Sequence, residues 1–310
     1  MPNVSIIIRT KNEERWIGSC LRAIYDQTYK DFEIIIVDNN SKDKTIKKAK
    51  NHSIKDVIYI DDYLPGKALN VGIEKSKGDY FVCISAHCVP TNKYWLETLV
   101  NSIEEDKNFA GVYGRQEPMA FSSLSDKRDL LIVFGLDRKI QKYDSFFHNA
   151  NSIVRRKLWE KVPFDDKTTN IEDRLWAQEM LNLGYKLMYE PKASVYHYHG
   201  IHQDGNIERL KNVVNIIEKK QKNYKQGILE AEKLNIVAVI PVKGETNIIN
   251  GKYQLGYTID AAKKSKYVNE IIISTDSKKT QEIANKYSVS TPFLRPSKLS
   301  APYINLEDVQ

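Results

Sequence analysis

Asp38 closes an all-apolar run, residues 34–37, and is followed at once by small polar residues and a second acid, Asp43. A buried parallel strand that ends this way delivers a carboxylate to the rim of a sheet, where open α/β folds bind nucleotides. At that rim Asp38 can accept hydrogen bonds from a base imide or a ribose hydroxyl. Its plainer use is to cap its own turn as an Asx residue, and Ser41 and Asp43 also suit a helix N-cap. Thr10, Asn12 and Glu14 lie just past another apolar run, residues 4–8, and would line the same pocket. A third run, residues 80–84, leads into Ser85, Ala86 and His87, so the two loops point to one cleft. Glu172 and Asp173 open a helical stretch behind the candidate caps Thr169 and Asn170, where the helix dipole favours ionised carboxylates.

The elements that must position these residues alternate. Apolar strands at 4–8, 33–37, 57–60 and 80–84 are each followed by an amphipathic helical pattern, at 13–27, 44–51, 67–77 and 95–105. That is the pattern of a mostly parallel sheet with crossover helices, an α/β fold. A further strand fits 110–114, the pattern blurs over 122–148, and a helix over 172–183 ends at Gly184 before a strand at 186–190. Residues 207–234 read as a lysine-rich connecting helix with an apolar stripe at Ile207, Leu210, Val213, Val214 and Ile217. A second βα pattern starts at Ile236. The expected division is therefore a first domain over 1–205, a connecting helix over 206–234 and an incomplete α/β unit over 235–310.

Composition narrows the class. The 310 residues carry a net charge of +7 and three cysteines, with no CxxC pair to suggest a disulfide framework or zinc cluster. Lysines are interspersed with acids and no nucleic-acid motif accompanies them, so nucleic acid is not expected as a partner. A basic surface suits anionic lipid headgroups or an acidic glycan equally. No run approaches the ~20 apolar residues of a membrane span. The expected location is cytoplasmic, with peripheral association at the inner face of the membrane.

VSIIIRTKNEE, IIIVDNNSKDKT, LPGKALNVGIEKSKGDY, ISAHCVP, IEDRLWAQEMLNLGY and VYHYH occur in the order found in family 2 glycosyltransferases of GT-A fold, and the chain resembles that family over about residues 1–200. The resemblance implies transfer of a sugar from a nucleotide-diphosphate donor to a glycan or lipid-linked acceptor. It implies Asp38 on the nucleoside, Lys67 and Asn70 in the same cleft, and Asp173 as general base of an inverting reaction with Glu172 positioning the acceptor. Where the family usually carries Asp-any-Asp for a divalent cation, this chain reads Ser85-Ala86-His87. A hydroxyl and an imidazole hold Mg²⁺ poorly, whereas imidazole suits Mn²⁺ better. His197 and His199, two apart on a strand, face one way and are candidate partners for His87 at a metal. The alternative is His87 bonded directly to a diphosphate, or packed, with no metal. With the metal weak or missing, Lys67, Arg9 and Arg174 would carry more of the diphosphate's charge.

Residues 236–310 resemble the start of the cytidylyltransferases that make CMP-activated acidic sugars, through IVAVIPVKG, GKYQLGYTIDAAKKSK, EIIISTDS and FLRPSKLS. The triphosphate cradle after the first strand is shortened and contains Glu245, poor for an anionic nucleotide. Two other readings follow: a bifunctional fragment whose C-terminal unit is the working enzyme, and a non-catalytic nucleotide-sugar-binding or scaffold protein.

Overall fold

The computed structural model describes residues 2–201, 206–220 and 231–301. The chain divides into two compact units, residues 1–224 and 225–310.

The first unit is built on one sheet. Strands β1 (Val4–Thr10), β2 (Phe32–Asp38), β3 (Asp56–Tyr59) and β4 (Tyr80–Ser85) run parallel in the order β3-β2-β1-β4. Each is followed by a helix or short extended piece: α1 (Ile17–Tyr25), α2 (Thr45–Ala49), α3 (Pro65–Glu74), then β5 (Cys88–Pro90) and α4 (Trp95–Glu104). The apolar runs of β1, β2 and β4 are buried on both faces, and β3 lies at the edge; Ile6, Ile7, Ile8, Ile35, Ile36 and Val37 are fully enclosed. This is why the sequence shows continuous apolar stretches rather than alternation. The expected helices are present with shifted ends: α1, α2 and α4 are shorter than expected, and α3 starts at Pro65 rather than Lys67.

Beyond β4 the sheet changes character. It continues through β8 (Asn151–Arg155), antiparallel to β4, then β6 (Phe109–Pro118), β9 (Lys186–His197) and β5, while β7 (Lys139–Gln141) pairs with β9. The blurred stretch 122–148 holds α5 (Leu124–Val133) and β7. Helices α6 (Arg156–Lys161) and α7 (Glu172–Asn182) follow β8, and Gly184 terminates α7 at φ +84. Helix α8 (Ile207–Lys220) covers the start of the expected connecting segment, and residues 221–230 of that expectation lie outside the described residues. Among the described residues no helix is long and apolar enough to cross a membrane.

β9 is longer than the sequence suggests because it runs on past Pro191. Its register against β6 jumps, from Gly114 opposite Glu190 to Gln116 opposite Val195. Such bulges re-aim side chains beside functional sites. Here the chains cross so closely that a Cβ at Gly114 would lie 1.9 Å from the Ala193 carbonyl oxygen and 2.4 Å from Asn151 Nδ2. Asn151 Nδ2 donates to the carbonyls of Ala193 at 2.8 Å and Arg115 at 3.1 Å, clamping both strands. Gly114→Ala is therefore expected to destabilise the fold by at least ~1–3 kcal/mol, the scale of overpacking. Thermal unfolding checks this, and a melting point equal to the parent's would contradict it.

The second unit pairs β10 (Ile236–Val242) with β13 (Val268–Thr275) in parallel, with a small hairpin of β11 (Ile248–Ile249) and β12 (Lys252–Tyr253). Helices α9 (Gln254–Lys264) and α10 (Lys278–Lys286) supply Leu255, Ile259 and Ala284 to its core. Asp276 accepts from the Gly244 N–H at 2.7 Å, and Glu245 pairs with Lys279 at 2.6 Å.

Candidate active site

A cleft of about 380 Å³ opens over the C-terminal ends of β1 and β4 and the start of α7. It is lined by Thr10, Ser85, His87, His197, His199, Glu172 and Asp173 among the expected residues, and also by Arg9, Lys11, Glu13, Asn39, His148, Arg174 and Arg209. His87 and Asp173, far apart in sequence, thus share one cavity.

Five expected contacts do not line it. Asp38 is fully buried, and its carboxylate accepts from the Ser41 N–H at 2.8 Å and the Ser41 hydroxyl at 2.5 Å. Here it caps the turn that carries Asn39 into the cleft. Asn12, in the left-handed region at φ 55, accepts from the Lys42 N–H at 2.8 Å, and Glu14 accepts from the Lys44 N–H at 2.9 Å. Both tie the loop after β1 to the loop after β2. Lys67 pairs with exposed Asp62 at 2.9 Å. Asn70 bonds the Phe164 carbonyl at 2.8 Å and the Trp159 indole N–H at 2.8 Å, anchoring the segment that leads to α7.

The two carboxylates at the head of α7 are held differently. Ile171, immediately before them, sits at φ 56, a left-handed conformation that costs a β-branched residue about 1–3 kcal/mol. Glu172 accepts from Arg9 Nη1 at 2.9 Å, while the same nitrogen donates to the Pro65 carbonyl at 3.2 Å. Asp173 accepts from two backbone donors, Asn149 N–H at 3.0 Å and Arg174 N–H at 2.9 Å. Burial pushes the pKa of both acids up: Arg9 opposes this at Glu172, and the two backbone N–H groups oppose it at Asp173. Asp173 is thus a carboxylate made more basic than usual by burial, with the nearby charges of Arg9 and Arg174 pulling the other way.

Opposite chemistry gathers at the ends of β4 and β9. The rings of His87, His197 and His199 have centroids 4.5 to 5.1 Å apart. Each presents Nδ1 to an oxygen: His87 to Glu13 at 2.6 Å, His197 to Gln116 at 2.6 Å and His199 to the Gly200 carbonyl at 3.0 Å. With Nδ1 the donor, Nε2 of each ring carries a lone pair. Such oxygen-oriented imidazoles are the usual form of metal-binding histidine. His197 Nε2 is buried with no partner among the described residues. Burial and the neighbouring rings hold His197 well below the ordinary histidine range, and burial lowers His199 as well, which favours the neutral, metal-binding form of both. Ligand atoms of His87, Cys88 and His197 lie within 4.8 Å of one another, and burial pushes the Cys88 thiol far up. The donor set fits a borderline divalent cation such as Mn²⁺ and suits Mg²⁺ poorly.

Sequence reasoning missed Glu13, His148 and Gln116, which no local pattern marks, and Arg209, which reaches the cleft from α8. Arg209 Nε donates to the Ile201 carbonyl at 3.3 Å and its guanidinium also bonds Asn170. With Arg9, Lys11 and Arg174 it brings cationic side chains into a cleft that also holds Glu13, Glu172 and Asp173.

The family description Glycosyl transferase family 2 matches residues 5–162, just over half of the chain, and Cytidylyltransferase matches residues 247–301. The chain is 28% identical over 214 residues to the O-antigen chain rhamnosyltransferase WbaN of Salmonella anatum, covering 64% of this chain and 67% of that one. It is 34% identical over 122 residues to a dolichyl N-acetyl-α-D-glucosaminyl phosphate 3-β-D-2,3-diacetamido-2,3-dideoxy-β-D-glucuronosyltransferase of Methanococcus voltae, covering 36% and 38%. Among solved structures it is similar to the Pyrobaculum calidifontis mannosyltransferase PcManGT in complex with GDP-Man and Mn²⁺, with TM-score 0.55, 21% identity and coverage of 72% and 65%. S. aureus TarS with UDP-GlcNAc gives TM-score 0.55 at 16% identity, covering 73% and 68%. The chain thus spans about two thirds or less of the length of these relatives. The solved structures are similar to this chain in fold, and the family 2 match runs from β1 to α6, before α7. The chain belongs to glycosyl transferase family 2.

Proposed function

We propose that the first unit transfers a sugar from a nucleotide-diphosphate donor to an acceptor hydroxyl with inversion at the anomeric carbon. The observation that carries this reading is Asp173: a carboxylate of raised pKa, fixed by two backbone N–H groups, in the same cleft as His87, His197 and His199. Asp173 takes the acceptor's proton as its oxygen attacks. The bond to the leaving phosphate breaks with its electron pair on the diphosphate, whose growing charge Lys11, Arg174 and Arg209 offset. Glu172, tied to Arg9, orients the acceptor side of the cleft. Thr10, whose buried hydroxyl has no partner among the described residues, and Ser85 are donor contacts. His87, His197 and His199 would hold the cation, whose contribution when bound is to neutralise diphosphate charge. The donors bound by PcManGT and TarS support the donor class.

A lipid-linked acceptor at an anionic membrane surface suits the outer face of α5. Leu124, Leu131 and Ile132, at helical spacing, are 85%, 57% and 72% exposed, with Arg128 between them and the chain's charge at +7. The test is a transfer assay with UDP- and GDP-sugars, with lipid-linked and water-soluble acceptors, with and without chelator. Donor turnover raised by Mn²⁺ and abolished by chelation is expected, with the lipid-linked acceptor preferred and that preference lost in Leu131→Asp. Turnover that survives chelation and ignores Mn²⁺ removes the cation; no donor turnover or binding overturns the reading.

A further inference from the structure

Gln116 lies on β6 just beyond the bulge, 1% exposed, with its side-chain amide between two histidines. His148 Nδ1 accepts from the Ala150 backbone N–H at 3.3 Å and lies 3.0 Å from Gln116 Nε2. Gln116 Oε1 in turn lies 2.6 Å from His197 Nδ1. A backbone N–H cannot reverse its polarity, so the logic runs one way. Ala150 makes His148 Nδ1 an acceptor, which draws the NH₂ end of Gln116 towards it. The amide oxygen must then face His197, which requires the proton on His197 Nδ1 and leaves Nε2 bare. The reverse amide orientation would set the Gln116 oxygen against a His148 nitrogen already serving as acceptor.

The same backbone stretch touches the other half of the chemistry. Asn149, between His148 and Ala150, donates its N–H to Asp173 Oδ2 at 3.0 Å. One three-residue segment therefore holds the base on one side and, through Gln116, sets the protonation of the cation-side histidine on the other.

We propose that Gln116 is a positioning residue: by relaying the polarity of the Ala150 amide it locks His197 in the Nδ1-protonated tautomer and presents Nε2 as a ligand. This rests on the metal reading above only for its consequence, because the tautomer exists without any cation. Gln116→Met removes both relay contacts at similar volume. Gln116→Glu keeps an oxygen for His197 in either protonation state, and when protonated it also keeps a donor for His148.

The experiment is long-range proton–nitrogen NMR of histidine-labelled protein without metal, alongside Mn²⁺ titration of the same samples. The parent and Gln116→Glu are expected to show His197 protonated on Nδ1, and Gln116→Met a mixture of tautomers. Mn²⁺ affinity is expected to fall about 10–100-fold in Gln116→Met, the usual scale for an outer partner of a ligand, and to return in Gln116→Glu. A parent with the proton on His197 Nε2, or a Gln116→Met protein with an unchanged tautomer, overturns the proposal. Should Gln116→Met not fold, the parent and Gln116→Glu spectra decide it alone. A parent that binds no Mn²⁺ yet shows the Nδ1 tautomer supports the relay and refutes only the metal reading.

Discussion

Asp173→Asn is expected to lower turnover at least ~100-fold, the scale of a lost general base, while donor binding is retained. The amide cannot accept a proton from the acceptor hydroxyl. It also meets two backbone donors, from Asn149 and Arg174, with a single acceptor oxygen, so its NH₂ group faces an N–H. A stability loss of about 1–3 kcal/mol should accompany the substitution, measurable by denaturant unfolding and too small to empty the folded state. Turnover per folded molecule, with donor binding measured by calorimetry, separates the two effects. Parent-like turnover would remove Asp173 from the chemistry. The parent's pH profile adds a second readout. Burial raises the Asp173 pKa, so the ionised base is lost as pH falls, at a higher pH than for an ordinary aspartate. The acid limb of kcat should lie above the usual carboxylate range; a limb at or below that range would contradict this assignment.

Arg9→Met should be the most destabilising single change in the cleft. It leaves Glu172, with 5% side-chain exposure, as an uncompensated carboxylate, and breaking one side of a buried pair costs about 3–5 kcal/mol. The sign with pH is fixed. Glu172 already has a raised pKa from burial, and loss of Arg9 raises it further, so the penalty is full while the carboxyl is ionised and fades as pH falls through that raised value. Denaturant unfolding of Arg9→Met across the acidic range tests this, and Arg9→Met with Glu172→Gln should recover most of the loss. An equal penalty at all pH values would mean that lost packing, not stranded charge, is responsible.

The parallel half of the sheet was legible because strands buried on both faces leave unbroken apolar runs, and helices between them leave one-sided stripes. The acids at 172 and 173 and the histidines at 87, 197 and 199, which line the cleft, were visible by type and by order along the chain. Which polar residue at a strand end faces the cavity was not. Asp38 and Thr10 stand side by side in register on β2 and β1, yet one is bonded into its own turn and the other opens to the cleft. Asn70 has the right neighbours in sequence but anchors a loop from 94 residues away, a partnership with no local trace. Glu13 matters through His87, and Gln116 and His148 through each other and His197, and a contact between β6 and β9 across a bulge leaves no periodicity to read.

The jump in register between β6 and β9 makes the site a matter of parity. A strand presents alternate residues to alternate sides, and His197 and His199 reach the cavity while Tyr196 and Tyr198, 44% and 39% exposed, do not. One residue gained or lost between Glu190 and Val195 would exchange the two sets and put phenols where the imidazoles stand. The short detour around Pro191 thus cannot change in length by an odd count, and the buried Ala193 and Ser194 restrict its composition as well, so one codon gained there exchanges the face that the strand offers to the cleft.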